Sequence, residues 1–189
     1  MNPFAIDTSD FQFLLDSIGE TVIIDNVLKK CIIQNGNIGD YEDKYIYTLD
    51  SIQRGNLIVY NEKNYLIISD VTQGKYKKAL MRKCTHTISV MIQEGGQILV
   101  GTTPWGEEIW ETVDPVYDDF PCIVEQEKIT IDGGQIRTSD SEILITLQDN
   151  EFTRKIKLND VYNVAGYQYK VIHINYTKTG LLILKCETV

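Results

Sequence analysis

One stretch of this chain occurs twice, and that repetition limits the folds available to the chain more than any other feature. The first copy spans residues 55–84 and the second spans residues 159–186; aligning Tyr65 with Tyr169 gives an offset of 104 residues. Each copy contains a short strand, a polar turn, a strand led by a tyrosine, a second turn and a strand ending in Lys-Cys. The repetition predicts two similar β units.

Length and charge are compatible with two units. The 189 residues are 43% hydrophobic, and domains of about 90 residues lie within the usual size range. The net charge is −9, and residues 93–189 hold 16 acidic against 8 basic side chains. Such a surface disfavours nonspecific binding to nucleic-acid phosphates, which depends on Lys and Arg. A protein that lets DNA pass without holding it would carry charge of the same sign.

Residues 9–18 are the best helix candidate. Ser9 starts a capping box that ends at Gln12, apolar side chains follow at helical spacing, and Gly19 is a natural stop. The apolar stripe comprises Phe11, Leu14, Leu15 and Ile18. It predicts docking on the helix's own domain, with insertion into a groove of a neighbouring subunit as the alternative.

The remainder is predicted to be mainly β. Short β-branched runs are separated by polar turns, a pattern typical of a sandwich or a small barrel. We therefore predict two small β-barrel or β-sandwich domains with a short N-terminal helix. The first domain with its helix is placed at residues 1–92, an acidic connecting segment or arm at 93–121, and the second domain at 122–189.

Residues 35–50 are polar and then rich in tyrosine, which predicts an exposed loop or arm. Tyr41, Tyr45 and Tyr47 are its candidate partner contacts, because aromatic side chains dominate interface energetics. The alternative is that these tyrosines cap their own barrel.

The acidic segment combines features that rarely occur together. From Thr85 to Glu127 there are nine carboxylates and no Lys or Arg, together with both tryptophans and three of the four prolines. Proline opposes regular structure and unpaired carboxylates oppose burial, so residues 93–121 are predicted to be irregular. An arm that packs Trp105 and Trp110 on a partner fits this composition. The alternative is an acidic surface loop whose tryptophans fold onto their own core.

No motif points to catalysis. The two histidines, His86 and His173, lie inside strand patterns, and neither a nucleophile elbow nor a phosphate-binding glycine loop occurs. The four cysteines are widely spaced beside apolar runs, which predicts buried apolar side chains rather than disulfides or metal ligands. We expect no enzyme, no cofactor, no metal site and no membrane span.

The repeated strings carry a family resemblance. RGNLIVYNEKNYLIISDV followed by ALMRKC, and LNDVYNVAGYQYKVIHIN followed by GLLILKC, resemble the β-barrel proteins that join head to tail in tailed bacteriophages. In these head-completion, stopper or adaptor proteins, a glycine- or aspartate-led strand, a tyrosine-led strand and a following hairpin build a small barrel. The resemblance covers about half of the chain, and the present chain adds a second barrel and the acidic segment to the simpler form.

The resemblance implies a structural virion protein that is made in the host cytoplasm. Its subunits would form a homo-oligomeric ring by head-to-tail contacts, between a portal or adaptor protein and a tail or tail-terminator protein. DNA would pass through the ring without sequence-specific binding, and Asp118 and Asp119 are candidates for its lumen or rim. The competing functions are a ligand- or carbohydrate-binding β module without enzymatic activity, and a minor tail or decoration protein.

Overall fold

The computed structural model describes residues 8–36, 42–126 and 142–189, with the backbone of two short strands at 130–132 and 135–137. The chain is mainly β, with one short N-terminal helix, as predicted from the sequence. Tyr41 lies outside the described residues.

The first barrel follows helix α1 (Ser9–Ile18). Its strands are β1 (Glu20–Ile24), β2 (Val27–Asn35), β3 (Asp43–Thr48), β4 (Leu57–Tyr60), β5 (Lys63–Ile67), β6 (Thr72–Gln73) and β7 (Lys77–Lys83). Six of them form a closed sheet in the order β3-β2-β1-β4-β5-β7, because β3 also pairs with β7. The core is made of alternate inward side chains, which include Val22, Ile24, Cys31, Ile46, Ile58, Ile67 and Met81.

The second barrel uses six of the remaining strands. The ten strands that follow β7 are β8 (His86–Gln93), β9 (Gly96–Thr102), β10 (Glu108–Val113), β11 (Val116–Gln126), β12 (Thr130–Asp132), β13 (Gln135–Arg137), β14 (Glu142–Gln148), β15 (Val161–Val164), β16 (Tyr167–Asn175) and β17 (Leu181–Thr188). The barrel-like sheet has the order β15-β16-β17-β14-β11-β8 and is nearly closed. A 3₁₀ turn at Thr153–Lys155 precedes β15, and the core includes Ile88, Val90, Cys122, Ile145, Leu147, Val171 and Leu184.

The two barrels have the same topology. Read along the chain, β1, β2, β3, β4, β5 and β7 occupy the same places in the first sheet as β8, β11, β14, β15, β16 and β17 in the second. The hairpins β4–β5 and β15–β16 both turn through two residues with positive φ, Asn61–Glu62 and Ala165–Gly166. The predicted repetition is confirmed, and it extends to three strands before each repeated stretch.

The main difference between the barrels is an insertion. In the first barrel, β1 and β2 are joined by the two-residue turn Asp25–Asn26, whose residues have φ of 45° and 65°. The equivalent strands β8 and β11 are instead separated by the antiparallel hairpin β9–β10, which pairs with no other strand among the described residues.

Three local expectations are corrected by the structure. Residues 93–121 are largely regular, because β9, β10 and part of β11 lie there; Pro121 sits within β11 opposite Thr87. Residues 43–48 are not a loop but strand β3, which closes the first barrel. The strand predicted at residues 87–92 as the end of the first domain belongs to β8, which pairs with β11 in the second sheet and buries Ile88 and Val90 in its core.

Helix α1 docks on its own barrel with half of its apolar stripe. Phe11 and Leu15 are buried, and the Phe11 ring stacks on Tyr76 with centroids 4.6 Å apart. Leu14 and Ile18 remain exposed beside Phe13 on the outer side of the helix. The docking prediction is confirmed for the inner pair, and the outer three apolar side chains leave a surface without cover.

A third apolar cluster joins the barrels. Leu66 of β5, Ile123 of β11 and Leu181 of β17 are buried together. Next to them, the guanidinium of Arg82 makes two hydrogen bonds to Asp43, of 2.8 and 3.0 Å, and a further short contact to Glu125 of the second barrel. The two barrels therefore share both an apolar contact and an ion-pair network.

Candidate partner-binding surfaces

The hairpin β9–β10, here called the arm, is the most exposed part of the described chain. None of the residues from Gly96 to Val113 is buried. Trp105, in its turn, is 90% exposed, and Trp110 is 52% exposed with its indole N–H donating to Glu108 at 3.2 Å. The sequence alternative in which the tryptophans fold onto their own core is therefore wrong. Other exposed apolar side chains are Ile98, Leu99, Val100 and Ile109.

The two ends of the arm are nevertheless well formed. At the tip, Thr103 N–H donates to the carbonyl of Glu107 at 2.7 Å, and Gly106 N–H donates back to the carbonyl of Thr103 at 2.9 Å. At the root, a Cβ on Gly95 would lie 2.7 Å from Cδ of Pro115, so the backbone is tightly packed there. The arm is thus a hydrogen-bonded ribbon that leaves the barrel at a fixed corner.

The second barrel is open along one joint, here called the seam, between β8 and β15. In the first barrel the equivalent strands β1 and β4 pair at Ile23–Val59 and Ile24–Ile58. The turn residue Asp25 strengthens that joint, because its backbone N–H donates to the Leu57 carbonyl at 2.9 Å and its carboxylate accepts from Leu57 N–H at 2.8 Å. The arm replaces this turn in the second barrel, and β8 and β15 share no ladder.

Lysine side chains span the seam instead of a strand. The ammonium of Lys155 makes a short hydrogen bond to the backbone carbonyl of Ile92, and Lys157 forms an ion pair with Glu94 at 3.5 Å. Arg154 beside them holds Asp149 through hydrogen bonds of 2.6 and 2.8 Å. Asp149 and Glu94 balance the charges of Arg154 and Lys157, whereas Lys155 bonds to a backbone carbonyl rather than to a carboxylate.

A cleft of about 740 Å³ lies along the seam. Its lining combines polar and apolar side chains, among them Met91, Ile92, Tyr117, Lys155, Val161 and Tyr162. Burial raises the pKa of the Tyr162 hydroxyl, so this group stays protonated over the physiological range. The cleft therefore offers apolar surface, aromatic rings and ammonium groups together, which is the combination that binds an aromatic and acidic partner.

The predicted tyrosine contacts lie elsewhere, on the outside of the first barrel. Tyr45 and Tyr47 are half-buried on β3 with ring centroids 6.5 Å apart, and the ammonium of Lys78 lies 4.4 Å from the Tyr45 ring. Tyr47 meets Tyr76 edge to face at 5.8 Å, and Tyr76 in turn covers Phe11. These contacts agree with the alternative in which the tyrosines cover their own barrel and its helix.

Asp118 and Asp119 are exposed neighbours on β11, close to the root of the arm. The carboxylate of Asp118 accepts the backbone N–H of Asp119 at 2.9 Å, and Asp119 accepts a short hydrogen bond from Ser89 of β8. They lie on β11 of the barrel sheet, whereas the tryptophans lie on the arm.

Three of the four cysteines are buried, as the sequence predicted. All four are free thiols, and Cys31, Cys122 and Cys186 are fully buried. Burial raises the pKa of Cys31 to about 11 and that of each of the other three to about 12. Within the described ranges, no three His, Cys, Asp or Glu side chains are arranged to hold a metal ion.

Comparison with known families decides where the chain belongs. The model of the YomX N-terminal domain matches residues 2–83, and that of the YomX C-terminal domain matches residues 68–187. The chain belongs to the YomX family. This phage-derived family agrees with the phage origin implied by the sequence resemblance. Searches of curated proteins and of solved structures gave no match.

The two YomX matches overlap in the first barrel, because the C-terminal match begins at Ile68 and so includes β6 and β7 as well as the second barrel. The N-terminal match ends at Lys83, the last residue of β7, and the C-terminal match contains all six strands of the second barrel together with the arm. The arm is thus part of a YomX domain. No helix in the described part of the chain is long and apolar enough to cross a membrane.

Sequence reasoning missed the seam and its lysines. Nothing in the sequence distinguishes Lys155 and Lys157 from other lysines, because an unpaired strand edge does not alter the hydrophobic periodicity. The available signal was the length difference between the β1–β2 turn and the segment from Gln93 to Val116, which only the common topology makes visible.

Proposed function

We propose that this phage protein is a structural virion component that forms a homo-oligomeric ring at the head–tail interface. The ring connects a portal or adaptor protein to the tail and surrounds a passage for DNA. The observation that carries the proposal is the arm, a well-formed ribbon that buries no side chain in its own chain and exposes Trp105 at its tip. Such an apolar and aromatic surface is typical of a protein–protein contact.

The arm favours contacts between different surfaces of identical subunits. It is a projection, and its apolar side chains require a concave or flat acceptor elsewhere on a partner. A contact between a projection and a different surface is heterologous, and heterologous contacts between identical chains generate closed rings when the rotation closes. Two barrels fixed to each other through Leu66, Ile123 and Leu181 give each subunit a rigid body from which to assemble.

Further surfaces are available for neighbours above and below such a ring. The outer face of helix α1 exposes Phe13, Leu14 and Ile18, and the hairpin β1–β2 exposes Val27 and Leu28. We assign these surfaces to portal, adaptor or tail contacts. The exposed carboxylates of Asp118 and Asp119 are assigned to the lumen or rim, where negative charge prevents DNA from binding to the wall.

The proposed role contains no catalytic step. The polar groups of the seam cleft have structural partners, because Arg154 is held by Asp149 and Lys157 by Glu94. In this role the protein connects head and tail by its shape and keeps DNA from binding to the ring wall by its charge.

The test combines oligomeric state with location. The full chain should give ring-shaped particles in negative-stain electron microscopy and one oligomeric mass by light scattering. A variant in which residues 96–113 are replaced by Asp-Asn, the turn of the first barrel, should keep its circular dichroism spectrum and lose the rings. Antibody labelling of virions should place the protein between capsid and tail; a strictly monomeric chain that is absent from virions would contradict the proposal.

The second candidate is a ligand-binding β module, favoured by the cleft of about 740 Å³ and the exposed indole of Trp105. Aromatic side chains and a cleft of this size are common features of small-molecule sites. A monomeric chain that binds glycans, with Trp105→Ala abolishing that binding, would favour this function over the ring.

A further inference from the structure

We propose that the seam cleft of the second barrel is the acceptor for the arm of a second copy of this chain. The inference deepens the proposed function, and it rests on the self-assembly proposed there. It names both halves of the subunit contact: the tip of the arm with Trp105 on one subunit, and the cleft between β8 and β15 on the next.

The arm and the open seam occur together at one point of the shared topology. The first barrel has a short turn and a closed joint at the positions where the second barrel has the arm and an open seam. The Asp25 carboxylate, which accepts from Leu57 N–H in the first barrel, has no counterpart once the turn is replaced by the arm. The same insertion thus creates a projection and leaves a recess in one subunit, as a head-to-tail contact requires.

The arm is acidic, and the cleft carries exposed lysine side chains. The arm carries Glu107, Glu108 and Glu111, and no Lys or Arg occurs between Thr85 and Glu127. The cleft lining holds three basic side chains (Arg154, Lys155 and Lys157) and two acidic ones (Glu94 and Asp160), and Lys155 and Lys157 are both exposed on the seam. Opposite charges at a rim steer association and fix its register. In a half-chain of net acidic charge, this is the place where an acidic ribbon meets ammonium groups.

The cleft and the arm also match in their apolar side chains and in their unpaired strand edges. The cleft lining includes Met91, Ile92 and Val161, which suit the indole of Trp105 and the exposed aliphatic side chains of the arm. Among the described strands, β8 pairs only with β11, and the outer edges of the arm are also free. Free strand edges of this kind form backbone hydrogen bonds with an added strand.

The arm does not fill the cleft of its own subunit. Trp105 is 90% exposed, and the cleft lining includes none of the residues from Gly96 to Val113. Gly95 and Pro115 pack closely at the corner where the arm leaves the barrel, since a Cβ on Gly95 would lie 2.8 Å from Pro115 N. We therefore assign the acceptor to another copy of the chain.

The first test maps the contact in the full chain. A photo-crosslinking amino acid placed at Trp105 should yield crosslinked dimers, and mass spectrometry should locate the bond in residues 89–94 or 154–162. The same amino acid at Tyr167, which is exposed on the β15–β16 hairpin, serves as the matched control and should not label the cleft. Crosslinks from position 105 to any other surface of a second copy would overturn the cleft assignment while leaving the ring intact.

The second test uses two variants that should fail alone and succeed together. The arm variant Trp105→Ala/Trp110→Ala retains the insertion and therefore its cleft, and the double variant Lys155→Glu/Lys157→Glu keeps its arm. Each alone should remain monomeric, and their mixture should form one-to-one complexes with no ring, because only one arm and one cleft are intact. Lys178→Glu makes the same type of charge change outside the cleft lining and should assemble as the unmodified chain does.

The outcomes separate the two proposals. Normal ring assembly by the Lys155→Glu/Lys157→Glu variant would overturn the cleft assignment and leave the ring function standing. A monomeric unmodified chain would overturn both. Circular dichroism and thermal melting of each variant guard against misfolding. If the double variant is unfolded, Lys157→Glu alone is used, since the exposed Lys157 side chain pairs with Glu94, which is itself exposed.

Discussion

Gly55 of the first barrel and Gly180 of the second lie backbone against backbone. A Cβ on Gly55 would be 1.9 Å from the carbonyl oxygen of Gly180, and a Cβ on Gly180 would be 2.0 Å from the carbonyl oxygen of Arg54. Both glycines have positive φ, of 90° and 84°. Arg54 Nε also donates to the Thr179 carbonyl at 2.9 Å. The two turns therefore interlock at a separation that no side chain permits.

Replacing either glycine with alanine should separate the barrels. Gly55→Ala and Gly180→Ala combine left-handed backbone strain with a direct backbone clash, and we expect each to lower the free energy of unfolding by about 3 kcal/mol or more. Gly166→Ala is the matched control, because Gly166 has φ of 88° with nothing within 4 Å of the added Cβ. It should cost only about 1 kcal/mol. Urea denaturation measures all three, and equal losses would contradict the interlock.

Arg82 should be more important than its position near the surface suggests. Its side chain is 18% exposed, makes a two-bond contact with Asp43 and reaches Glu125 across the joint between the barrels. Arg82→Met leaves the Asp43 carboxylate partly buried without this partner, and should lower the free energy of unfolding by about 2 kcal/mol. Glu125→Gln, which removes only the contact between barrels, should cost less. Equal effects in chemical denaturation would show that Asp43 does not depend on Arg82.

The Asp149–Arg154 pair predicts a pH dependence with a definite sign. Hydrogen bonds from Arg154, and its charge, lower the pKa of Asp149 below the ordinary aspartate value. A carboxyl whose pKa is lower in the folded state stabilises the fold above its unfolded pKa of about 4, and this contribution is lost as pH falls through the folded pKa. Arg154→Met should therefore destabilise the protein at pH 7 and flatten the fall in stability below pH 4. An NMR titration of Asp149 that shows no rise in pKa in the variant would contradict the assignment.

The thiols should be unreactive in the folded protein. Because burial raises the cysteine pKa values to about 11 for Cys31 and about 12 for Cys84, Cys122 and Cys186, the thiolate fraction at pH 8 is very small. Ellman's reagent at pH 8 should therefore react slowly with the native chain and rapidly with all four thiols in guanidinium chloride. Cys84, which is only half-buried, should react first. Fast native labelling of Cys122, which lies in the core of the second barrel, would show that this barrel opens readily.

The arm tryptophans should contribute to assembly and not to folding. Trp105→Ala and Trp110→Ala remove side chains that are 90% and 52% exposed, so each should change the free energy of unfolding by less than about 0.5 kcal/mol. Both should weaken the oligomer in light scattering at matched protein concentration. Tyr167→Ala removes another exposed aromatic side chain and should leave the oligomer unchanged. A large loss of stability with Trp105→Ala would contradict the exposed position of the ring.

The fold class could be predicted because strand alternation and the duplicated stretch are local signals. Tyr65 and Tyr169 fall at equivalent positions of β5 and β16, and the turns before them have the same conformation. The limits of the barrels could not be predicted, because β8 has an apolar pattern that suits either neighbouring core. It is the pairing of β8 with β11, a contact between residues far apart in sequence, that assigns β8 to the second barrel.

The candidate site was predictable in part. Composition indicated that Trp105 and Trp110 belong to an acidic projecting segment. It also predicted that this segment is irregular, whereas the structure shows a regular β-hairpin. The error comes from the prolines: Pro104 lies in the turn, and Pro115 at the root, so neither interrupts a strand of the arm. Tyr45 and Tyr47 were ambiguous because an alternating strand and a tyrosine-rich loop share the same composition.

The position of the arm in the topology has a consequence for how such proteins diversify. The arm leaves and re-enters the barrel at neighbouring points that the β8–β11 ladder already holds together, so its length and sequence can change without rearranging either core. The barrel can therefore stay the same while the inserted hairpin differs from one such protein to another. In the first barrel the equivalent insertion point is the turn Asp25–Asn26. A chain with a second arm inserted there would carry two projecting hairpins.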